Sequence, residues 1–255
     1  MALRLLVLLL LALCISVAYG KEDIHVAVAS SLRAPITEIT QSFEQRYPNY
    51  RVQLSYAATG KLVAQVQHGA PYHVLIAADP YYLNVLKELN LLAVAPRIFA
   101  YGEVVLWHPE QTGRLETLLR NARHIGIAQP RHAPYGQAAI AFLEQQEWLT
   151  AVQDRFIYAE NAAQVIHRVY AGAVPMGFVA LSQVIELGGT AQHYSHLNNA
   201  PLLAHTAALS KHGETSEGAS LMLAMLWSDA AQQIMLRYGY QKITDDQELL
   251  YAAGE

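Results

Sequence analysis

Short apolar segments alternate with amphipathic segments along most of the chain. The run from Ile24 to Ala29 is mostly apolar and contains β-branched residues, which predicts a buried strand. The large apolar residues that follow this run recur every three or four positions, at Ile36, Ile39, Phe43 and Tyr47. That spacing predicts a helix with one apolar face.

The same alternation continues almost to the end of the chain. Further strands are predicted at 51–56, 74–78, 124–128, 155–158 and 176–180. Further helices are predicted from Asp79-Pro80 onward and at 62–67, 136–146, 162–170, 217–227 and 229–238. Because strands and helices alternate, we predict an α/β fold in which helices cover both faces of a parallel sheet.

Two longer extended runs interrupt this alternation. One spans Phe99 to Trp107 and is broken at Gly102, and the other spans Leu203 to Leu209. The chain is long for one compact domain and short for two, and no linker or repeat divides it. We therefore predict two intertwined lobes connected by these two runs. Lobe 1 comprises residues 21–102 and 205–255, and lobe 2 comprises residues 103–204.

The first 20 residues have the pattern of a secretory signal peptide. Arg4 precedes an apolar run from Leu5 to Val17, and the small residues Ala18 and Gly20 come just before a polar segment. This order predicts export and cleavage after Gly20. A membrane anchor is the alternative, but the apolar run is shorter than the roughly 20 residues that a spanning helix needs.

Composition argues against several classes of function. Cys14 is the only cysteine and lies inside the predicted signal peptide, so disulfides, thiolate metal sites and cysteine nucleophiles are not expected. The net charge is −4, or −5 once Arg4 is removed, and no basic cluster favours nucleic-acid binding. The 11 histidines lack metal-binding spacings such as HxH, HxxxH or HExxH, and no GxSxG motif indicates a serine hydrolase.

Four strand–helix junctions carry residues that suit an anion site. In open α/β sheets, ligands bind beyond the carboxyl ends of the strands, where helices begin. The four junctions are Ser30-Ser31, residues 58–61 (ATGK), residues 133–136 (APYG) and residues 160–163 (ENAA). Together they would offer hydroxyls, free backbone N–H groups and helix dipoles without any arginine.

Each junction residue also has a simpler interpretation. Thr59 is a plausible helix N-cap, and Gly60 would allow close approach of the backbone to a ligand. Lys61 is either a charge clamp for the anion or an ordinary solvated lysine. Asp79 and Glu160 resemble a carboxylate pair, but capping of helix starts explains each of them more simply.

Several segments together resemble the periplasmic molybdate-binding proteins of ABC importers. They keep that family's order and spacing and cover nearly all of the chain after residue 20: VAVASSL (26–32), YAATGKL (56–62), HGAPYHVLIAAD (68–79), IAQPRHAPYGQAA (127–139), PMGFVALSQV (175–184) and RYGY (237–240). The resemblance implies a two-lobed type II periplasmic binding protein fold, with mixed, mostly parallel sheets, flanking helices and a two-stranded hinge.

The resemblance also implies which residues bind the ligand. The matching positions are the hydroxyls of Ser30, Ser31 and Thr59, a backbone contact at Tyr135 and the main-chain N–H of Ala162. Some members use a tyrosine hydroxyl where this sequence has Ala180, and others share its absence. A missing phenol would change the size of the pocket and therefore the oxyanion that fits best.

The implied function is capture of molybdate, and of tungstate, in the periplasm for the membrane permease of an ABC importer. The resemblance implies a monomer without cofactor, direct metal ligation or catalysis. Molybdate is a dianion that only accepts hydrogen bonds, so a site made of donors suits it. The alternatives are another oxyanion such as sulfate, or a periplasmic enzyme or sensor on the same fold. An enzyme would need a nucleophile or an acid–base pair in the cleft, and a sensor would need a signalling domain.

Overall fold

The computed structural model describes residues 20–243, which form two five-stranded sheets flanked by helices. The strands are β1 (Glu22–Ala29), β2 (Tyr50–Ala57), β3 (Val74–Ala77), β4 (Leu92–Gly102), β5 (Val104–Trp107), β6 (Ile125–Ala128), β7 (Phe156–Ala159), β8 (Gly177–Ala180), β9 (Tyr194–His196) and β10 (Leu203–Ser210). The predicted signal peptide lies outside the described residues except for Gly20.

Ten α-helices lie between and after these strands in the described part of the chain. They are α1 (Arg33–Arg46), α2 (Thr59–Gln67), α3 (Pro80–Glu88), α4 (Leu115–Asn121), α5 (Pro134–Gln145), α6 (Leu149–Val152), α7 (Ala162–Tyr170), α8 (Leu181–Glu186), α9 (Glu217–Met225) and α10 (Asp229–Arg237). Short 3₁₀ turns occur at Ser30–Leu32, Gln153–Arg155 and Lys211–Gly213. Within residues 20–243, no helix has both the length and the apolar character needed to span a membrane.

In each sheet, one strand is antiparallel to the other four. The first sheet has the order β2-β1-β3-β10-β4, and β10 is antiparallel to both of its neighbours. The second sheet has the order β7-β6-β8-β5-β9, and there β5 is the antiparallel strand. The prediction of mixed, mostly parallel sheets in two lobes is confirmed.

The chain passes between the two sheets at adjacent points. Strands β4 and β5 are separated only by Glu103, so the chain leaves the first sheet and enters the second within one residue. On the return, Leu203 at the start of β10 pairs with Gly102 at the end of β4. The two crossings therefore form a two-stranded hinge. The lobe boundaries at 102/103 and 204/205 remain a prediction.

Gly102 is required to be glycine by the packing of this hinge. A β-carbon added there would lie 2.5 Å from Cε1 of His205, 2.6 Å from the hydroxyl of Tyr135 and 3.1 Å from Cε1 of Tyr240. Distances below about 3 Å are shorter than carbon van der Waals contacts, which have their optimum at roughly 3.5–4.0 Å. The side chains behind the hinge therefore fill the space that any larger residue would need.

The core follows the predicted pattern of apolar positions. All four residues of β3 are buried, as expected for a strand covered on both faces. On α1 the buried positions include Ile36, Ile39 and Phe43, which are part of the predicted apolar face. Helix α7 begins and ends at the predicted residues, 162 and 170.

Some elements were not predicted. Strand β9 and helix α6 span only three and four residues, and the apolar positions of α4 (Leu115, Leu118, Leu119) and α8 (Leu181, Val184, Ile185) cover little more than one helical turn. The first half of β4 was also not predicted. Helix α8 also follows β8 directly, with no Gly or Pro between them to mark the change. Arg155, predicted at the start of a strand, lies in a 3₁₀ turn.

Candidate functional site

One cavity between the two sheets is lined by all five residues expected to bind the ligand. Its lining residues are Ala29, Ser30, Ser31, Ala57, Ala58, Thr59, Ala78, Ala133, Pro134, Tyr135, Asn161 and Ala162. The structure thus brings Ser30, Ser31, Thr59, Tyr135 and Ala162 together, while their part in binding remains a prediction.

The lining is small and uncharged. Six of its 12 residues are alanines, and none is a lysine, arginine, histidine, aspartate or glutamate. The polar groups at this surface are therefore hydroxyls, one asparagine side chain and the backbone. Such a surface recognises a ligand by hydrogen bonds and not by opposite charge.

Ser31 carries an unsatisfied hydroxyl. Its side chain is buried, and its Oγ has no hydrogen-bond partner of good geometry within residues 20–243. A buried polar group without a partner is destabilising by about 1–3 kcal/mol. A ligand that accepts a hydrogen bond from Ser31 would remove this penalty.

Thr59 has a different role from the predicted N-cap. It is the first residue of α2, and the N-cap position is Ala58, whose side chain cannot bond to the helix. The Thr59 Oγ1 accepts a hydrogen bond of 3.2 Å from the backbone N–H of Ala78. Because its oxygen is held by this bond, the hydroxyl keeps its own hydrogen for donation.

Helix starts at the cavity mostly lack side-chain caps. Alanine is the N-cap of both α2 and α5, and no side chain caps α1. By contrast, Ser216 and Ser228 cap α9 and α10, which contribute no residue to the cavity lining, and Asp79 caps α3 next to the lining residue Ala78. Alanine is an unfavourable N-cap, and the first N–H groups of a helix have no intrahelical partner. These ends therefore retain donors and a positive dipole for an anion.

Helix α7 is the exception among the four junctions. Its N-cap is Asn161, whose Oδ1 accepts a hydrogen bond of 3.0 Å from the N–H of Gln164. The N–H of Ala162, which precedes Gln164, is not the donor in this bond. Sequence reasoning did not single out Asn161, although an Asn directly before a helix is a recognised capping signal.

The two lobes touch at the rim of the cavity. The N–H of Gly60 donates to the carbonyl of His132 at 3.0 Å, so this group contacts the other lobe and not the ligand. Lys61 Nζ lies 2.8 Å from the Glu160 carboxylate, and this hydrogen bond lowers the pKa of Glu160. Glu160 therefore pairs with Lys61 and does not cap α7, whereas Asp79 does cap α3.

His205 lies behind the cavity at the hinge. Its ring is fully buried, and its centroid lies 6.1 Å from the ring centroid of Tyr135. Burial lowers the pKa of His205 to about 4, so the ring is neutral at neutral pH. Within residues 20–243, no group of three or more His, Cys, Asp or Glu side chains is arranged to hold a metal ion.

Ala180, where some members of the resembling family have tyrosine, is absent from the cavity lining. It is fully buried at the end of β8, and its N–H donates to Oε1 of Gln183 at 3.2 Å.

Two other residues near the cavity were not predicted as functional. Ser182 on α8 and Tyr240 after α10 both donate a hydrogen bond to the carbonyl of Ser31. Both lie within segments of the family resemblance, Ser182 in PMGFVALSQV and Tyr240 in RYGY, but neither residue was singled out there.

Comparison with known proteins identifies the family. The model of the family described as bacterial extracellular solute-binding protein matches residues 24–241. The molybdate-binding protein ModA of Azotobacter vinelandii is 31% identical over 229 residues, which cover 86% of this chain and 89% of that protein. ModA of Rhodobacter capsulatus is 26% identical over 236 residues, which cover 91% of this chain and 92% of that protein.

A solved structure agrees with this relationship. The periplasmic molybdate-binding protein of Azotobacter vinelandii superposes with a TM-score of 0.79 at 25% identity, covering 87% of this chain and 100% of that one. The resemblance drawn from the sequence motifs is confirmed by these matches. The chain belongs to the family of bacterial extracellular solute-binding proteins.

Proposed function

We propose that this protein captures molybdate in the cavity between its lobes and presents it to the membrane permease of an ABC importer. The observation that carries the proposal is that uncharged hydrogen-bond donors line the cavity. Among residues 20–243 the Ser31 hydroxyl has no partner of good geometry, the Thr59 hydroxyl keeps its hydrogen, and two of the adjoining helices have alanine as N-cap. The ModA relatives share this proposed ligand.

A doubly ionised oxyanion suits this cavity better than a protonated one. Molybdate offers four oxygen atoms that only accept hydrogen bonds. Hydrogen phosphate also donates one and would need an acceptor. No carboxylate lines the cavity and the Asn161 oxygen is occupied by Gln164, so only hydroxyl oxygens, which are weaker acceptors than a carboxylate, could receive it. A polar group left unpaired on binding reduces affinity substantially.

Other ligands and classes of function are weaker candidates. Sulfate is also an acceptor-only dianion but is smaller, so some donors around it would be unsatisfied. Tungstate nearly matches molybdate in size, and we expect it to bind as well. The lining has no carboxylate, histidine or lysine to act as a general acid or base, which favours a binding protein over an enzyme. We propose that the protein acts as a monomer and needs no cofactor.

We expect the protein to be exported to the periplasm with cleavage after Gly20. The mature chain would then begin at Lys21, because Ala18 and Gly20 provide the small residues that signal peptidase requires. Intact-mass measurement of protein secreted by the native export system checks this. A mass that includes lipid on Cys14, or one that retains the apolar segment, would contradict it.

Molybdate binding should depend little on pH and salt. No histidine or charged side chain lines the cavity, and His205 behind it has a pKa of about 4, so no donor titrates between pH 6 and 8. Hydrogen bonds in a closed cavity are also screened less than exposed ion pairs. Isothermal titration of the mature protein with molybdate at pH 6, 7 and 8 and at two salt concentrations measures both effects.

The same titrations with tungstate, sulfate and phosphate serve as the controls for ligand choice. We expect comparable affinity for molybdate and tungstate and much weaker binding of the other two. A steep loss of molybdate affinity between pH 6 and pH 8 would indicate a protonated histidine in the site. Failure to bind any of the four anions would overturn the proposed function.

A further inference from the structure

The carbonyl of Ser31 is held by two hydroxyl groups from distant parts of the chain. Ser182 Oγ donates to this oxygen at 3.1 Å, and the Tyr240 hydroxyl also donates to it at 3.1 Å. The two hydroxyls lie 3.0 Å from each other. All three residues are buried, with exposed fractions of 3–4%. Ser182 belongs to α8 of the second lobe, whereas Ser31 and β1 belong to the first.

The Ser31 carbonyl can accept hydrogen bonds from both hydroxyls at once. The two hydroxyls supply two hydrogens, and a carbonyl oxygen has two lone pairs that can accept both. Burial raises the pKa of Tyr240 far above its usual range, so this phenol stays protonated at any physiological pH. Both groups therefore remain donors, and the Ser31 carbonyl is the acceptor that both of them reach.

A third hydroxyl approaches the same serine from α5. The Tyr135 hydroxyl is buried without a hydrogen bond of good geometry in the described chain, yet it lies near both Tyr240 and Ser31. Its backbone belongs to the first turn of α5, which begins at the cavity. Hydroxyl side chains from three separate parts of the chain thus lie close to Ser31.

The Ser31 backbone has few other restraints. It lies in a 3₁₀ turn of three residues, and no side chain caps either this turn or α1 behind it. Fixing the carbonyl of a residue restricts the rotation of its peptide plane. Because Cβ is attached to the same backbone, its position is restricted too, and Oγ is left with the three staggered positions about the Cα–Cβ bond.

We propose that Ser182 and Tyr240 are positioning residues that hold the Ser31 peptide so that its hydroxyl faces the oxyanion cavity. This inference rests on the proposed function and deepens it, because it names two residues outside the cavity lining that orient one of the ligand's hydrogen-bond donors. Since Ser182 lies on the opposite lobe, the support for Ser31 is complete only when the lobes are closed. The arrangement therefore couples closure to the placement of a ligand donor.

The test is a double-mutant cycle measured by isothermal titration with molybdate on the mature protein. Tyr240→Phe and Ser182→Ala each remove one donor to the carbonyl, and each should raise Kd by roughly two- to tenfold. Tyr240→Phe is then repeated in a Ser31→Ala background. If Tyr240 acts by aiming the Ser31 hydroxyl, it should have no further effect once that hydroxyl is gone.

Tyr56→Phe is the matched control. Its hydroxyl lies 2.8 Å from Thr37 Oγ1 and donates to the Arg33 carbonyl at 3.3 Å, and it forms no hydrogen bond with Ser31 in the described chain, so this variant should keep the wild-type Kd. Thermal unfolding of every variant shows whether a weak binder is still folded. Tyr240→Phe replaces one oxygen in a buried ring, so its apolar packing is retained.

The outcomes separate this inference from the proposed function. Wild-type Kd in both Tyr240→Phe and Ser182→Ala would overturn the positioning role while molybdate binding by wild type stands. An equal loss from Tyr240→Phe with and without the Ser31 hydroxyl would show a general effect on closure and would also overturn it. If wild type binds no molybdate, the proposed function fails and this inference fails with it.

Discussion

Replacing Ser31 with alanine should weaken molybdate binding by roughly ten- to a hundredfold. The hydroxyl is buried at the cavity without a partner of good geometry, so the ligand is its natural acceptor. A hydrogen bond to a charged group is worth about 1.5–3 kcal/mol, which corresponds to that change in Kd. Stability should change little or rise, because the substitution removes an unsatisfied buried group. Isothermal titration and thermal unfolding measure the two effects.

Thr59 provides an informative comparison. Thr59→Ala should also lower the affinity, but it leaves the N–H of Ala78 without its acceptor and should therefore destabilise the fold as well. Thr59→Ser keeps the hydroxyl and is the matched control, with an affinity close to wild type. Wild-type affinity in both Ser31→Ala and Thr59→Ala would show that the ligand binds elsewhere.

Replacing Gly60 with alanine should prevent full closure of the cavity and lower molybdate affinity by an order of magnitude or more. A β-carbon at this position would lie 2.8 Å from Cβ and 3.0 Å from Cα of His132, and 2.9 Å from Cε1 of Tyr82. The backbone of His132 cannot rotate away as a flexible side chain can, so the lobes would have to separate. The hydrogen bond from the Gly60 N–H to the His132 carbonyl would be strained or lost.

The fold itself should tolerate this change. Gly60 is the second residue of α2, where alanine is the better helix former by up to about 1 kcal/mol. Titration with molybdate, together with small-angle scattering with and without ligand, distinguishes a closure defect from unfolding. We expect wild type to become more compact on binding and Gly60→Ala to respond less.

Lys61→Met is the matched control at the same rim. It removes the ion pair with Glu160 but adds no steric clash. Both side chains are about 40–45% exposed, and exposed ion pairs contribute little, so Kd should change by at most about fivefold. If Gly60→Ala binds molybdate as tightly as wild type and compacts equally, contact between Gly60 and His132 is not needed for closure.

Local patterns in the sequence determined most of the secondary structure. Helix α7 was predicted without error because Val165, Ile166 and Val169 form one apolar face. Strand β3 was found because four consecutive apolar residues lie next to Asp79-Pro80. Helix α8 and strand β9 were missed because each is short: β9 has three residues, and the apolar positions of α8, Leu181, Val184 and Ile185, span little more than one helical turn.

The sequence also determined where the candidate site lies. In an α/β fold the helices that follow parallel strands begin at one edge of the sheet, so junction residues are brought to a common cleft. Ser30, Ser31, Thr59, Tyr135 and Ala162 were identified in this way together with the family motifs, and all five line one cavity. Neither the position of the junctions in the fold nor the match to the family motifs requires knowledge of contacts between the lobes.

Only the tertiary structure decided what each polar group contacts. Thr59 accepts a bond from Ala78 and is not a cap, and Lys61 is a partly exposed lysine that pairs with Glu160. Ser182 and Tyr240 reach Ser31 across 151 and 209 residues of sequence. Such pairings depend on how the two lobes are placed relative to each other. Local periodicity specifies which face of an element is buried, but it does not specify which side chain meets it from the other lobe.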